Sequence, residues 1–169
     1  MTNSMHGMKQ RLRDLLIALW LGSGAFLMAV AAPAAFERAP DRTTAAAIVG
    51  AMLTKWHYIA IGAPLILLVV ELRRRVGGRN WRGLLLATIL MLASTQALLD
   101  LRIRAIRQSS PIPISNLDEA DPVRRRFGML HGVSSLMMLL QVLGAAAVLA
   151  GERVKNSELR MENSENRYM

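Results

Sequence analysis

Five polar side chains lie within long apolar stretches of the sequence and could bind a ligand or handle a proton. They are His57, Gln96, Asp100, His131 and Ser134. An ionisable side chain at membrane depth is costly, so each such residue is a candidate functional residue. Neutral imidazoles bind metal ions, and two histidines on facing helices could also hold a haem between them. His57 and His131 are therefore candidate metal ligands.

The same side chains also fit a purely structural role. Isolated histidines without an E-x-x-H or H-x-x-x-H pattern indicate a metal site only weakly, and the chain has no cysteine. Imidazoles in such positions also hydrogen-bond between helices or to loop carbonyls. We favour this structural interpretation and expect no cofactor. Metal or haem binding, and proton or substrate handling, are the alternatives.

Spacing predicts which helix faces the polar residues share. Gln96, Asp100 and Arg104 follow each other at intervals of four residues, so they form one stripe in which Asp100 can pair with Arg104. Lys55 lies about 200° around a helix from His57, so we expect it to face outward and to snorkel to the membrane surface.

The two histidines are expected to face the bundle interior and to approach each other near one membrane surface. Small residues share the helix face of His57. His131, Ser135, Met138 and Val142 form a second stripe, with Ser134 beside it. A bridge between the rings through Ser134, Gln96 or a backbone carbonyl would indicate the structural role. The usual catalytic motifs are missing from the sequence: it has no nucleophile elbow, phosphate loop or dinucleotide fingerprint, so we expect no enzyme.

Membrane-spanning helices must position these side chains. Hydrophobic residues make up 53% of the chain and charged residues only 20%, and the charges are concentrated between long apolar stretches. A span needs about 20 mainly apolar residues, which predicts spans at residues 15–36, 50–72, 81–102 and 127–151. We therefore expect an all-α integral membrane four-helix bundle with up-down topology. A short segment (1–14) should precede it, and a disordered polar tail (152–169) should follow it.

The first apolar segment also has features of a cleaved signal peptide. Lys9, Arg11 and Arg13 precede the apolar run, and small residues follow it around Ala32. The run is longer than a usual signal core, and Asp14 adjoins it, so we expect the segment to be retained as a span.

The basic residues indicate a membrane protein and its orientation. The formal net charge is +9, but nearly all basic residues flank apolar segments, where they contact lipid head groups. We therefore expect the lipid bilayer as partner, with other membrane proteins or a second copy of the chain, and no nucleic acid. Twelve basic residues lie on the side of the termini and eight on the other side. This excess predicts cytoplasmic termini, although Arg124, Arg125 and Arg126 argue the other way.

One face of the first span carries a recognisable pattern. Gly22, Phe26, Ala29, Pro33 and Phe36 follow one helical face. We expect this face to pack inside the bundle, with Gly22 allowing close approach of a neighbouring backbone.

Several motifs together resemble a known family. They are W-x-G-x3-F followed by P-x2-F in the first span (Trp20 to Phe36), Lys55-Trp56-His57-Tyr58, Gln96-x3-Asp100, and F-x2-L-H-x2-S from Phe127 to Ser134. This combination resembles the transmembrane protein 205-like domain family, uncharacterised four-helix membrane proteins, over about residues 15–151. The resemblance implies a four-helix bundle that retains the first span, and it supplies no mechanism.

Two hypotheses of function follow. The protein could be a small binding or transport-associated membrane protein whose site is the polar cluster in the outer half of the bundle. Alternatively, it could be a structural or assembly partner in which the cluster only holds the helices together. Ala- and Arg-rich usage suggests a bacterial inner membrane.

Overall fold

The computed structural model describes residues 2–73 and 81–168, and within these ranges the chain forms helices and no strand. Helix α1 (Thr2–Phe26) continues through a π-helical turn (Leu27–Ala31) into α2 (Ala32–Arg38). Helices α3 (Arg42–Arg73) and α4 (Trp81–Ser109) follow, then a 3-10 turn (Ile114–Asn116) and α5 (Pro122–Tyr168).

Four helical segments are long and apolar enough to cross a membrane: Gln10–Arg38, Arg42–Arg73, Trp81–Ser109 and Pro122–Gly151. Helix α3 packs on α4, α4 on α5, and α1 on both α5 and α3, so the spans form a closed ring. The predicted all-α four-helix bundle is confirmed. Large apolar side chains are exposed on all four spans, which indicates lipid contact and a multi-pass membrane protein.

The predicted inner face of the first span is wrong. Gly22, Phe26, Ala29, Pro33 and Phe36 are all exposed. The buried face instead comprises Arg13, Ile17, Trp20, Gly24 and Leu27. Both faces follow the helical period, and the segment is apolar nearly all round. Periodicity therefore identifies the helix but cannot identify the side that faces protein.

Gly24, and not Gly22, permits close packing. A Cβ atom added to Gly24 would lie 2.8 Å from Cγ2 of Val142 and 3.0 Å from Cζ2 of Trp56, whereas one added to Gly22 would meet nothing within 4 Å. At Gly144, an added Cβ would lie 2.5 Å from Cδ1 of Ile89. Glycines thus let α1 approach α3 and α5, and let α5 approach α4.

The π-helical turn lies directly before Pro33. The N–H of Ala32 donates to the carbonyl of Leu27, five residues earlier. Proline has no N–H, and its ring crowds the carbonyl four residues before it, which interrupts the α-helical pattern. The wider π turn carries the chain past this interruption without ending the span.

Helix α5 continues past Gly151 to Tyr168, through the segment for which the sequence predicted a disordered polar tail. Residues 152–168 contain neither glycine nor proline, so no helix-stop signal follows Gly151. The polar composition that suggested disorder is compatible with a helix that has left the apolar region.

We name the two ends of the bundle by their connections. The loop end contains the connections at residues 39–41 and 110–121, and the terminus end contains Arg13 of α1 and Gly151 of α5. At the loop end, Asp41 caps the start of α3: Oδ1 accepts hydrogen bonds from the backbone N–H groups of Thr43 (2.8 Å) and Thr44 (2.9 Å).

Candidate functional site

Helix α4 carries two polar residues into the bundle on an otherwise apolar stripe. Its buried residues in this stripe are Leu86, Ile89, Ala93, Gln96, Asp100 and Ile103. Their alternating spacing of three and four residues places them on one face. Gln96 is 1% exposed and Asp100 7%, so the shared face predicted for these two residues is confirmed.

A chain of hydrogen bonds connects α4 with α5 and ends on Asp100. Gln141 Nε2 donates to Gln96 Oε1 (2.6 Å), Gln96 Nε2 donates to Ser134 Oγ (3.4 Å), and Ser134 Oγ donates to Asp100 Oδ1 (2.7 Å). We call Gln96, Asp100, Ser134 and Gln141 the buried network. Each member donates to the next, so the carboxylate is the final acceptor and the hydrogen bond from Ser134 is charge-assisted.

His57 extends the buried network to α3. Its Nε2 lies 3.4 Å from Asp100 Oδ2, and neither atom has a regular hydrogen-bond partner among the described residues. A deprotonated ring nitrogen and a carboxylate oxygen are both acceptors, so the contact is favourable only with a proton on one of the two atoms. His57 is buried, which confirms the prediction that it faces the interior.

Arg104 does not pair with Asp100 as the spacing predicted. Its guanidinium donates to the hydroxyl of Thr54 on α3, while Asp100 contacts His57 and Ser134. The carboxylate lies in the stripe that faces α3 and α5, and these helices supply its partners. Asp100 and Arg104 thus each interact with residues of neighbouring helices, and not with each other.

His131 is exposed, so the prediction that both histidines face the interior is wrong for this residue. Its ring stacks on Phe127, one turn earlier on α5, with the ring centroids 6.1 Å apart and the planes 9° from parallel. The ring of His57, in contrast, is directed to Asp100. Within residues 2–73 and 81–168, no group of three or more His, Asp or Glu side chains is arranged to hold a metal ion.

A small cavity of about 90 Å³ borders the buried network at the loop end. Gln96, Asp100 and Ser134 line it, and His131 forms part of its wall. We call it the inner cavity. The remaining lining is mostly apolar and includes Val49, Leu53, Ile103 and Met138. The structure therefore places His131 at the same cavity as Gln96, Asp100 and Ser134, although its ring takes no part in the hydrogen-bond chain.

A larger cavity, which we call the vestibule, adjoins the inner cavity. It measures about 570 Å³ and shares five lining residues with the inner cavity: Phe36, Ala46, Arg107, Phe127 and His131. The loop from Ser110 to Ser115 forms part of its wall. The two cavities thus lie side by side between the loop end of the bundle and Asp100.

Sequence reasoning missed Gln141, which is fully buried. The stripe predicted for α5 contained His131, Ser135, Met138 and Val142, whereas the buried residues are Ser134, Met138, Gln141, Gly144, Ala145 and Val148. A signal for Gln141 existed, because it lies seven residues after Ser134 and shares its helical face. Lys55 is exposed as predicted.

Comparisons with known proteins identify a family but no activity. No curated protein and no solved structure matches the chain. A family model described as a domain of unknown function (DUF4149) matches residues 15–101, about half of the chain, including His57, Gln96 and Asp100. The chain therefore belongs to the DUF4149 family of domains of unknown function.

Proposed function

We propose that this chain is a small membrane protein that binds a polar ligand at the loop end, with binding or transport as its role. The observation that carries the proposal is the position of Asp100. It is buried, it ends a hydrogen-bond chain, and it lines a cavity that adjoins the vestibule. Ionisable groups at membrane depth usually mark a ligand or proton path.

The inner cavity offers a ligand both charges and apolar contact. Asp100 supplies an acceptor, Arg104 and Arg107 supply guanidinium donors, and His131 supplies a ring nitrogen. Apolar side chains cover most of the remaining wall. Such a mixture of a few polar groups in an apolar lining is typical of small-molecule sites.

A structural role is the second candidate, and the buried network itself favours it. Its side chains link α4 to α5, and the contact between His57 and Asp100 links α3 to α4. Interhelical hydrogen bonds of this kind hold membrane bundles together. Under this alternative the protein acts through its helix faces as an assembly partner, and the cavities have no ligand.

Several further points belong to the proposal. The sequence motifs support a relationship to the transmembrane protein 205-like domain family. We propose no catalytic activity and no resident metal or haem. The distribution of basic residues supports a bacterial inner membrane location with both termini in the cytoplasm, so the vestibule would open outward. A reporter active only outside the cytoplasm should be active when inserted near Ser115, and activity only after fusion at Arg153 would refute this orientation.

Single cysteine variants test whether the inner cavity is open to water, because the chain has no cysteine of its own. Ser135 and Ser94 form a matched pair. Both are exposed, and the hydroxyl of each donates at 2.9 Å to the carbonyl four residues earlier. Ser135 lines the inner cavity, whereas Ser94 is on the outer surface of α4.

A membrane-impermeant maleimide should label the Ser135→Cys variant in intact membranes and leave the Ser94→Cys variant unlabelled, because lipid covers Ser94. Thermal unfolding in detergent checks that both variants are folded. If Ser135→Cys is as unreactive as Ser94→Cys, water does not reach the cavity and the structural alternative stands. Labelling of both variants would show that α4 is not lipid-covered at Ser94.

A further inference from the structure

Three arginines from three different helices line the vestibule. Arg42 lies at the start of α3, Arg107 in the last turn of α4, and Arg124 in the first turn of α5. None of the described residues that line the vestibule is acidic. The loop end therefore concentrates positive charge around one cavity.

Two of these arginines have no compensating partner in the part of the chain that the structure describes. Among the described residues, neither Arg42 nor Arg107 forms a hydrogen bond or an ion pair with its guanidinium. Arg124 is held in place, because Nη1 donates to the carbonyl of Leu117 (2.6 Å) and Nη2 to Glu119 Oε1 (3.3 Å). Like charges around one cavity repel each other unless an anion lies between them.

The neighbouring carboxylate of Asp41 forms the N-cap of α3. Oδ1 accepts from the backbone N–H groups of Thr43 and Thr44, and Oδ2 accepts from the Thr44 hydroxyl at 2.7 Å. These hydrogen bonds, with that of the Thr44 backbone as the largest contribution, hold the pKa of Asp41 below its ordinary value. Asp41 thus caps the helix, and among the described residues it forms no ion pair with Arg42.

We infer that the vestibule binds the phosphate group of an anionic ligand, with Arg42 and Arg107 as its principal ligands and Arg124 as a third. This inference names the ligand class for the site of the proposed function and rests on it. Guanidinium forks match phosphate oxygens in pairs. A phosphate presents oxygens in tetrahedral directions and can meet donors from three helices, whereas a carboxylate presents two oxygens in one plane.

The vestibule is also suited to more than a bare ion. Its volume of about 570 Å³ falls in the range of small-molecule sites. Phe36, Ile112 and Phe127 add apolar surface to its wall. A phospholipid head group and a soluble phosphorylated molecule share the phosphate chemistry, and the experiment below separates these two sources.

The experiment uses the full chain with the single substitution Ser115→Cys, a vestibule residue that is exposed. The protein is placed in phosphatidylcholine nanodiscs, and the rate of maleimide labelling is measured. Inorganic phosphate is titrated against sodium chloride of equal ionic strength, which tests a soluble source. Parallel nanodiscs that contain phosphatidylglycerol test a lipid source. Phosphate, phosphatidylglycerol or both should slow the labelling, and the effective probe identifies the source.

Arginine variants then assign the effect to the vestibule. Arg107→Gln and Arg42→Gln should each raise the probe concentration that halves the labelling rate by roughly tenfold. This is the effect expected for the loss of one charge-assisted hydrogen-bond donor. Arg107→Lys, which keeps the charge but not the fork, should lie between. The matched control is Arg102→Gln, because Arg102 is exposed on the same helix and does not line the vestibule. It should change the protection by less than about twofold, since it removes only a screened surface charge.

Two results would overturn the phosphate site. One is the absence of protection by either probe. The other is equal weakening by Arg102→Gln and Arg107→Gln, which would reveal general attraction of anions to a basic surface. Ser135→Cys distinguishes this failure from failure of the proposed function: if that residue still reacts with the maleimide, the water-filled site remains and only its ligand class is wrong.

Discussion

The two ends of the bundle both bury charged groups, but they surround them differently. At the terminus end, Arg13 Nη2 of α1 lies 3.4 Å from Glu71 Oε2 of α3, and both side chains are at most 10% exposed. At the loop end, Asp100 contacts His57 at the same distance but also lines the inner cavity. The pair of Arg13 and Glu71 joins two helices, and the cavity beside Asp100 is what makes that residue a candidate site.

Packing at the terminus end supports this distinction. Arg82 donates to the backbone carbonyl of Gly151, and its guanidinium carbon lies 5.5 Å from the ring centroid of Trp81. A Cβ atom added to Gly151 would meet Trp81 at 3.1 Å. These contacts tie the start of α4 to α5. The arginines of the vestibule, by comparison, line open space.

The largest expected effect concerns the ion pair at the terminus end. Glu71→Gln removes the negative charge from the ion pair with Arg13, whose side chain is buried. Breaking a buried pair in this way costs about 3–5 kcal/mol. We therefore expect a large drop in the thermal unfolding temperature in detergent.

The double variant Arg13→Met/Glu71→Leu is the control, because an apolar pair of similar volume is often neutral or stabilising. It should recover most of the lost stability. A Glu71→Gln protein as stable as the parent would show that the contact contributes little, and the functional contrast between the ends would lose one of its supports.

An intermediate effect is expected from the close packing of α1. Gly24→Leu would force atoms into Val142 and Trp56, and overpacking of this kind typically costs about 1–3 kcal/mol. Gly22→Leu is the matched control, because Gly22 is exposed with no neighbour near an added Cβ. Unfolding temperatures in detergent should rank Gly24→Leu well below Gly22→Leu, and the reverse order would mean that α1 is rotated from the position described above.

The smallest effect should come from the buried network. Gln141→Leu removes the donor to Gln96 Oε1, and single side-chain hydrogen bonds in membrane proteins contribute about 0.6 kcal/mol on average. We expect a slight loss of stability and unchanged maleimide labelling of Ser135→Cys, because Gln141 does not line the inner cavity. Ser94→Ala, which alters an exposed hydroxyl on α4, provides the reference. A loss of several kcal/mol would favour the purely structural role.

The sequence determined the number and type of elements because the membrane imposes a simple requirement. Every span must be a long apolar helix with its backbone hydrogen bonds satisfied internally, and the four apolar segments met this requirement. The same requirement identified His57, Gln96 and Asp100 as polar exceptions within apolar stretches. All three are buried and lie in or beside the buried network.

Only the tertiary structure decided which side of each helix faces its neighbours. In water, the polar side of a helix identifies the exposed face, but lipid accepts apolar residues as readily as the bundle interior does. The face of α1 was therefore assigned to the opposite side of the helix, and that of α5 was rotated by about one position. These errors placed Gly22 and His131 inside and left Gly24 and Gln141 unnoticed. The partners of Asp100 and Arg104, and the arginines that surround the vestibule, likewise depend on which helices meet. Spacing in the sequence relates residues within one helix, whereas these contacts join side chains from three helices.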